Sequence, residues 1–383
     1  MTHWLLPEGI SDVLPHEARR IEDMRRALLD LYRGYGYELV IPPLIEYVES
    51  LLIDQAPDLD LRTFKLVDQA SGRLMGVRPD TTPQAARIDA HLLNRNGVVR
   101  LCYAGSVLHA RPRHALAVRE PFQVGAELYG HVGPAADIEI VELAVLSLRV
   151  TGMAGIHLDL GHPGVLRALL AQEPPARPAE EAIVAALNAK DQRALHEASA
   201  GLGEATRAAL GALLRLQGDA AVLADARRLL PPSAAVAAAL DALERVAEAC
   251  PADRVSIDLA DLLGYRYHTG VSFVAYVAGL TDAVLRGGRY DDIGRSFGRS
   301  RPATGFSIDL RDLSRLPGGS GEAAILAPAQ DEASLNAFVR ALRAQGEVVV
   351  RQLEADAVPD GRDFDREIRR RGDDWAVVPR HSS

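Results

Sequence analysis

Extended segments in this chain come in neighbouring pairs, and that arrangement restricts its fold more than any other feature. Residues 63–67 and 73–77 flank a turn at Ala70-Ser71-Gly72, so they read as two arms of a hairpin. Residues 99–104 and 122–129 form a second pair, separated by a polar, Arg-rich loop over 111–119. Strands joined this way run antiparallel. Helical segments lie between the pairs. From about Pro15 to Tyr35, Ala18, Ile21, Met24, Leu28, Leu31 and Tyr32 recur at helical spacing, and Gly34 and Gly36 close the run. A short strand at 37–41 is stopped by Pro42 and Pro43. Helices are predicted over 84–93 and 135–151, and strands over 156–160, 255–259 and 271–277. The pattern predicts an α+β fold, an antiparallel sheet flanked by helices, rather than a doubly wound sheet.

Two composition shifts divide the chain. Between Gly164 and Ala249 it becomes rich in Ala, Leu, Arg and Glu, broken by Pro174-Pro175 and Pro231-Pro232, which predicts an all-helical insertion at about 164–250. Leu316-Pro317-Gly318-Gly319-Ser320-Gly321 reads as a linker, 316–321, between a core of residues 1–315 and a small C-terminal α/β unit, 322–383. Within that unit, segments 323–326, 332–344, 347–350, 363–371 and 375–378 suggest βαβαβ order, with 363–371 as the second helix. Arg366, Arg369, Arg370 and Arg371 would then lie on a solvated helix face, mixed with Asp363, Asp365, Glu367, Asp373 and Asp374.

Charge and cysteine usage exclude several classes. The formal net charge is −9, which disfavours broad contact with nucleic-acid backbones. Cys102 and Cys250 form no CxxC pair, and no His cluster has metal spacing, so neither zinc nor a disulfide framework is expected. The N-terminus MTHWLLPEGISDVLP lacks a basic leader region, and no apolar run approaches the roughly 18 residues that span a bilayer. A cytoplasmic protein without membrane contact is the expectation. No Walker-type loop is present, Gly287-Gly288 is only a two-glycine turn, and no cofactor is implied.

Six motifs, in order, carry a resemblance. Gly36-Tyr37-Glu38-Leu39-Val40-Ile41-Pro42-Pro43-Leu44-Ile45-Glu46 resembles the first motif of class II aminoacyl-tRNA synthetases in its histidine-specific form. Val77-Arg78-Pro79-Asp80-Thr81-Thr82 resembles the L-R-P-E-G-T loop, and the run from Arg119 to Gly130 resembles the strand after motif 2. Gly264-Tyr265-Arg266-Tyr267-His268-Thr269-Gly270 resembles the box R-G-L-D-Y-Y-x-G. Arg286-Gly287-Gly288-Arg289-Tyr290-Asp291 is similar to the G-G-R-Y-D element, and Gly305-Phe306-Ser307-Ile308 to the start of motif 3. The chain is thus identified as similar to the histidyl-tRNA synthetases, whose matching residues enclose free histidine. The resemblance implies Asp80, Thr82, Gln123 and Glu127 around the ammonium, where a cation partly out of water needs acceptors. It implies Tyr267, His268 and Tyr290 near the imidazole, where flat walls and a polar acceptor favour that ring. Asp80 is one methylene shorter than the usual Glu, and His268 stands in place of a Tyr.

The adenylation cations are missing. Motif 2 reads F-R-x-E-R-P in the synthetases and Val107-Leu108-His109-Ala110-Arg111-Pro112 here, so the phosphate-binding Arg is Leu108 and the nucleotide-binding Glu is Ala110. The catalytic Arg of the histidine-specific box aligns with Leu263, and the final Arg of motif 3 with Asp312. Charge developing on a transferred phosphate needs fixed cations, and Arg111, Arg289 and Arg311 lie at the wrong spacing to substitute. A synthetase-like chain with an emptied nucleotide site and a short tail resembles the regulatory subunits of ATP phosphoribosyltransferase. That family implies no catalysis by the chain itself. It implies a short-form catalytic subunit as partner in the first step of histidine biosynthesis, histidine as feedback effector, a homodimer within a larger hetero-oligomer, and no tRNA. Two other readings stand beside it: an active synthetase, contradicted by Leu108, Leu263 and Asp312, and a synthetase-like tRNA-binding sensor, disfavoured by the charge and the short tail.

Overall fold

The computed structural model describes residues 5–52, 57–112, 117–262, 264–316, 323–354 and 363–380. The chain divides into two compact units, residues 1–316 and 317–383. Leu263 and residues 317–322, which cover nearly all of the predicted linker, lie outside the described residues.

The first unit is organised by a nine-stranded sheet. Its strands are Glu38–Leu39 (β1), Val99–Ser106 (β2), Phe122–Tyr129 (β3), His157–Gly161 (β4), Gln217–Gly218 (β5), Arg254–Asp258 (β6), Ser272–Tyr276 (β7), Leu285–Arg289 (β8) and Ala303–Asp309 (β9). They lie in the order β1-β2-β3-β9-β8-β7-β4-β6-β5. The middle of the sheet, from β2 to β4, is antiparallel throughout. Two flanking pairs, β1 with β2 and β4 with β6, are parallel. A parallel pair needs a crossover, and the Ala- and Leu-rich block supplies it between β4 and β6. That block is helical as its composition predicts, in segments Gly164–Leu170, Arg177–Asn188, Gln192–Ala198, Glu204–Leu213, Val222–Leu229 and Ala234–Ala249, with the two residues of β5 as the exception. It is no appendage. Leu166, Ile183, Leu187, Leu213 and Leu240 join one apolar core with Leu148 of the helix Pro134–Val150 and with Ile156 and Leu158 at β4.

Two long helices cover one face. Pro15–Gly34 (α1) starts with proline at its first position, where no donor is lost, and buries Ile21, Met24, Leu28 and Tyr32 along one stripe. Pro134–Val150 (α2) is buried on several sides, and its Ser147 hydroxyl donates to Tyr32 Oη at 3.1 Å. A separate three-stranded sheet is formed by Ile45–Tyr47, Phe64–Val67 and Leu74–Val77, and the hairpin expected at 63–77 supplies two of its strands.

The second unit corrects one expectation. Residues 363–371 are not a helix: Phe364–Arg371 is a strand, antiparallel to Asp374–Pro379. Its sheet also contains Ala324–Ala327 and Val349–Arg351, and the helix Ala333–Ala344 covers it through Leu335 and Val339 against Ile325 and Ile368. Alternation explains the strand. Arg366 and Ile368 share one side, opposite Pro379 and Val377, while the intervening charges face away. The arginines are matched by carboxylates rather than simply solvated: Arg366 binds Glu347 at 2.9 Å, Arg370 binds Glu332 at 3.0 Å, and Arg369 binds Glu367 at 2.5 Å.

Among the described residues no His, Cys, Asp and Glu group is disposed to hold a metal, and no helix is long and apolar enough to cross a membrane. Burial pushes the Cys102 thiol up to about 12, so it stays protonated in its strand.

One buried ion pair fixes the end of β8 to the start of α2. Arg289 reaches both Asp137 carboxylate oxygens at 3.1 Å and donates to the carbonyls of His131 and Gly133 at 3.0 and 3.2 Å. Removing one partner of such a pair leaves a buried charge. Arg289→Ala should lower unfolding free energy by about 3–5 kcal/mol in denaturant titrations, and adding Asp137→Asn should recover part of the loss.

Candidate functional site

The sheet carries a row of small residues across its open face. By register Glu127 on β3 stands opposite Gly305, Gly305 opposite Gly288, Gly288 opposite Ser272, and Ser272 opposite Gly161. Partners in register point to the same side of a sheet, so the row leaves a trough with one acid at its end. Above it lies a cavity of about 420 Å³ whose lining includes Gly161, Ser272 and Gly305 together with Asp80, Thr82, Gln123, Glu127, Tyr267, His268 and Tyr290. The seven residues that the resemblance implies, drawn from segments up to about 200 positions apart, therefore line one space.

Glu127 is 1% exposed. Its carboxylate accepts hydrogen bonds from Tyr290 Oη and, at 3.1 Å, from Tyr103 Oη, whose other neighbour is Thr82 Oγ1 at 3.1 Å. The acid fits only because its neighbour is glycine: a Cβ on Gly305 would lie 1.6 Å from Glu127 Oε2. Burial pushes this carboxyl up to about 8, and nearby Asp80 adds to the rise against the tyrosine hydrogen bonds. Asp80 opens the helix Thr82–Arg87 by accepting from the Thr82 amide at 3.1 Å, and Gln123 Nε2 donates to the same oxygen at 2.9 Å. The Gln123 carbonyl accepts in turn from the Thr81 amide at 2.9 Å. Both acids are thus held before any ligand arrives.

The aromatic part of the lining is continuous with the acid through Tyr290. Tyr267 and Tyr290 stack with centroids 5.1 Å apart, and His268 meets Tyr267 edge-on at 5.3 Å. Burial lowers His268 to about 4, so its ring is neutral at physiological pH. Gly264 and Gly288 flank that ring closely, and a Cβ on either would come within 2.7 Å of it.

The positions matching lost nucleotide-site residues behave differently from one another. Asp312 lines the cavity, whereas Leu108 and Ala110 do not, although Val107 and His109 beside them do. Arg289 is committed to Asp137, and Arg311 donates to Ser11 Oγ at 3.0 Å and to the Ser11 and Glu120 carbonyls, so both are engaged away from the cavity. The cavity wall carries Asp80, Glu127, Asp159, Asp261, Asp309 and Asp312 against two guanidiniums, Arg62 and Arg286. Sequence reasoning missed Tyr103, Arg62 and His109. Tyr103 had a signal, since it lies opposite Gly125, where a Cβ would come 2.4 Å from its hydroxyl. Arg62 had none, because only the fold brings it to His109, 47 positions away.

Two family models match the chain: histidyl-tRNA synthetase over residues 9–313, and the ATP phosphoribosyltransferase subunit HisZ C-terminal domain over residues 322–378. The ATP phosphoribosyltransferase regulatory subunit of Cupriavidus metallidurans is 55% identical over 98% of this chain and 99% of its own length. That of Burkholderia cenocepacia is 56% identical over 99% of this chain and 100% of its own. Among solved structures, an ATP phosphoribosyltransferase regulatory subunit/histidyl-tRNA synthetase from Bacillus halodurans superposes with a TM-score of 0.80 at 27% identity, covering 94% of this chain and 95% of that one. The histidyl-tRNA synthetase of Nostoc sp. PCC 7120 shares the fold at a TM-score of 0.80 and 18% identity, over 99% of this chain and 97% of that chain.

The raised carboxyl has a measurable consequence. Glu127 would titrate near 4.5 in the unfolded chain and near 8 in the fold. Between those values the unfolded chain releases a proton that the folded chain keeps, so stability falls as pH rises through the window. In Glu127→Gln, denaturant unfolding should show a smaller loss of stability between pH 5 and pH 8 than in the parent.

Proposed function

The chain belongs to the family of ATP phosphoribosyltransferase regulatory subunits, and from that membership we propose that its cavity is a sensor for free histidine. In this reading it activates a short-form catalytic subunit and transmits feedback inhibition, without catalysing a reaction itself. The observation that carries the reading is the convergence of Asp80, Gln123, Thr82 and Glu127 with Tyr267, His268 and Tyr290 around a single cavity, Tyr290 joining the two groups through its hydrogen bond to Glu127. The ammonium of an amino acid is answered by the first group through charge-assisted hydrogen bonds. Its imidazole lies against the aromatic wall, where neutral His268 offers a ring nitrogen as acceptor or donor.

The same wall opposes adenylation. A triphosphate entering would face five aspartates, beside the protonated Glu127, and two arginines, and like charges at close range are costly. The exposed apolar residues Leu39, Ile41, Leu44 and Ile45, in the segment that resembles the first class II motif, support a homodimer through that face.

For the effector to inhibit, the assembly must have two arrangements that differ in histidine affinity. Histidine binding should also expel a proton. Below about pH 8 the buried Glu127 of the empty site holds one, and an ammonium beside it favours the carboxylate.

Phosphoribosyl-ATP formation by the short catalytic subunit should rise on adding this chain and fall as histidine is titrated. Glu127→Gln should weaken histidine roughly ten- to a hundredfold, the worth of a lost charge-assisted bond. It should also abolish the proton release seen by calorimetry at pH 7.5 in buffers of different ionisation enthalpy. No stimulation at any ratio of the two chains would refute the regulatory role.

A further inference from the structure

A bound amino acid presents a carboxylate as well as an ammonium, and the positions matching two synthetase arginines are Leu108 and Leu263 in this chain. We infer that Arg62, held in place by His109, supplies the missing charge and makes the site selective for ligands with a free carboxylate. This rests on the reading of the cavity as a histidine site.

Four observations point to Arg62. It lines the cavity with Pro79, Asp80 and His109. Its Nη2 is 2.6 Å from His109 Nε2. An arginine only donates, so Nε2 is the acceptor in that contact. The His109 ring is 1% exposed and packs beside the Pro79 carbonyl, 3.0 Å from Nε2. The backbones are tied as well: the Ala110 amide donates to the Arg62 carbonyl at 2.8 Å, and the His109 amide to the Arg119 carbonyl at 2.7 Å. Arg119 Nε returns a bond to the His109 carbonyl at 3.0 Å. A guanidinium fixed at both its backbone and its head loses little freedom on binding an anion.

Geometry favours Arg62 over Arg286, the other guanidinium in the wall. The two charges of an amino acid are only about 3 Å apart by bond lengths. A cation for the carboxylate must therefore stand in the wall beside Asp80, which precedes Thr81 and follows Pro79. Arg286 rises from β8, two strands from Glu127 and so about 10 Å across the sheet. It sits in a row with Ser307, Val274 and Asp159, and diagonal to Asp309. That neighbourhood is acidic and repels a second carboxylate. The positive charge has thus moved from the motif 2 strand to a distant segment, and His109, next to Leu108, holds it.

The test compares histidine with histidinol, which has a hydroxymethyl group in place of the carboxylate, by calorimetric titration of the full-length protein. The parent should bind histidine more tightly. Arg62→Gln should weaken histidine about tenfold or more and leave histidinol within about twofold, and Arg62→Lys should keep part of the discrimination. Arg286→Gln should leave the ratio unchanged. Retained histidinol binding in Arg62→Gln shows that the pocket is intact, so a loss of both ligands would mean a merely structural role and overturn the inference. Discrimination that survives Arg62→Gln, or vanishes in Arg286→Gln, overturns it too. A parent that binds histidinol as tightly as histidine refutes this inference alone, whereas a parent that binds neither refutes the histidine site and this inference with it.

Discussion

A carboxyl group placed inside a sheet protein must be given room, and here the room is the absence of a side chain. Glu127 projects from β3 into the space a Cβ on Gly305 would fill. Neighbouring strands lie only about 4.8 Å apart, so no other residue at position 305 leaves the acid where it is. Gly288, Ser272 and Gly161 extend the same clearance across three further strands. The trough, the cavity above it and the convergence of acceptors at one end all follow from that row. Tyr103 and Tyr290 then meet the carboxyl with hydroxyls, so its burial does not leave it without partners.

Much of this was readable in the sequence, because the motifs are short and each sits on one element. Glu127 and Gln123 are four residues apart on one strand and must share a face, and Asp80 and Thr82 share one turn at a helix start. The antiparallel pair of β2 and β3 was legible from its spacing, whereas β8 and β9 were not read as strands. The parallel pairing of β4 with β6 was not legible either, since its two strands are separated by the whole helical block and nothing local marks their direction. Residues 363–371 misled for a different reason. Their charges recur often enough to imitate a helix face, while only Ile368 and its partner Val377 reveal the two-residue period. Arg62 and His109 meet through tertiary structure alone.

Substitution in the nucleotide half of the cavity is gentler on the fold than mutation of a single buried charge. A lone arginine in a carboxylate-lined wall needs a ligand or a carboxylate to answer it, and its loss together with the ligand it served leaves nothing orphaned. Leu108 and Ala110 are not among the residues that line the cavity. Arg289 is another matter, because Asp137 stays buried whether or not a nucleotide binds. Within the G-G-R-Y-D element Arg289 is thus tied to the fold, while Tyr290 faces the cavity.

In the proposed reading, an amino-acid site kept without the phosphate cations suits sensing. A site that bound nucleotide and amino acid together would report on both, since any ligand that prefers one state shifts the equilibrium. In that reading the aspartates of the cavity wall oppose a nucleotide and leave only the dependence on the amino acid. Sensing then rests on a difference in affinity between two assembly states, and about 1.4 kcal/mol of difference shifts that equilibrium tenfold. The polar groups that could generate the difference are those already coupled in the empty cavity. Asp80 and Gln123 share a hydrogen bond, and Tyr103 links Thr82 to Glu127. Movement of the loop that carries Asp80 and Thr82 would therefore be felt at the buried carboxyl, and a ligand bridging the two would resist it.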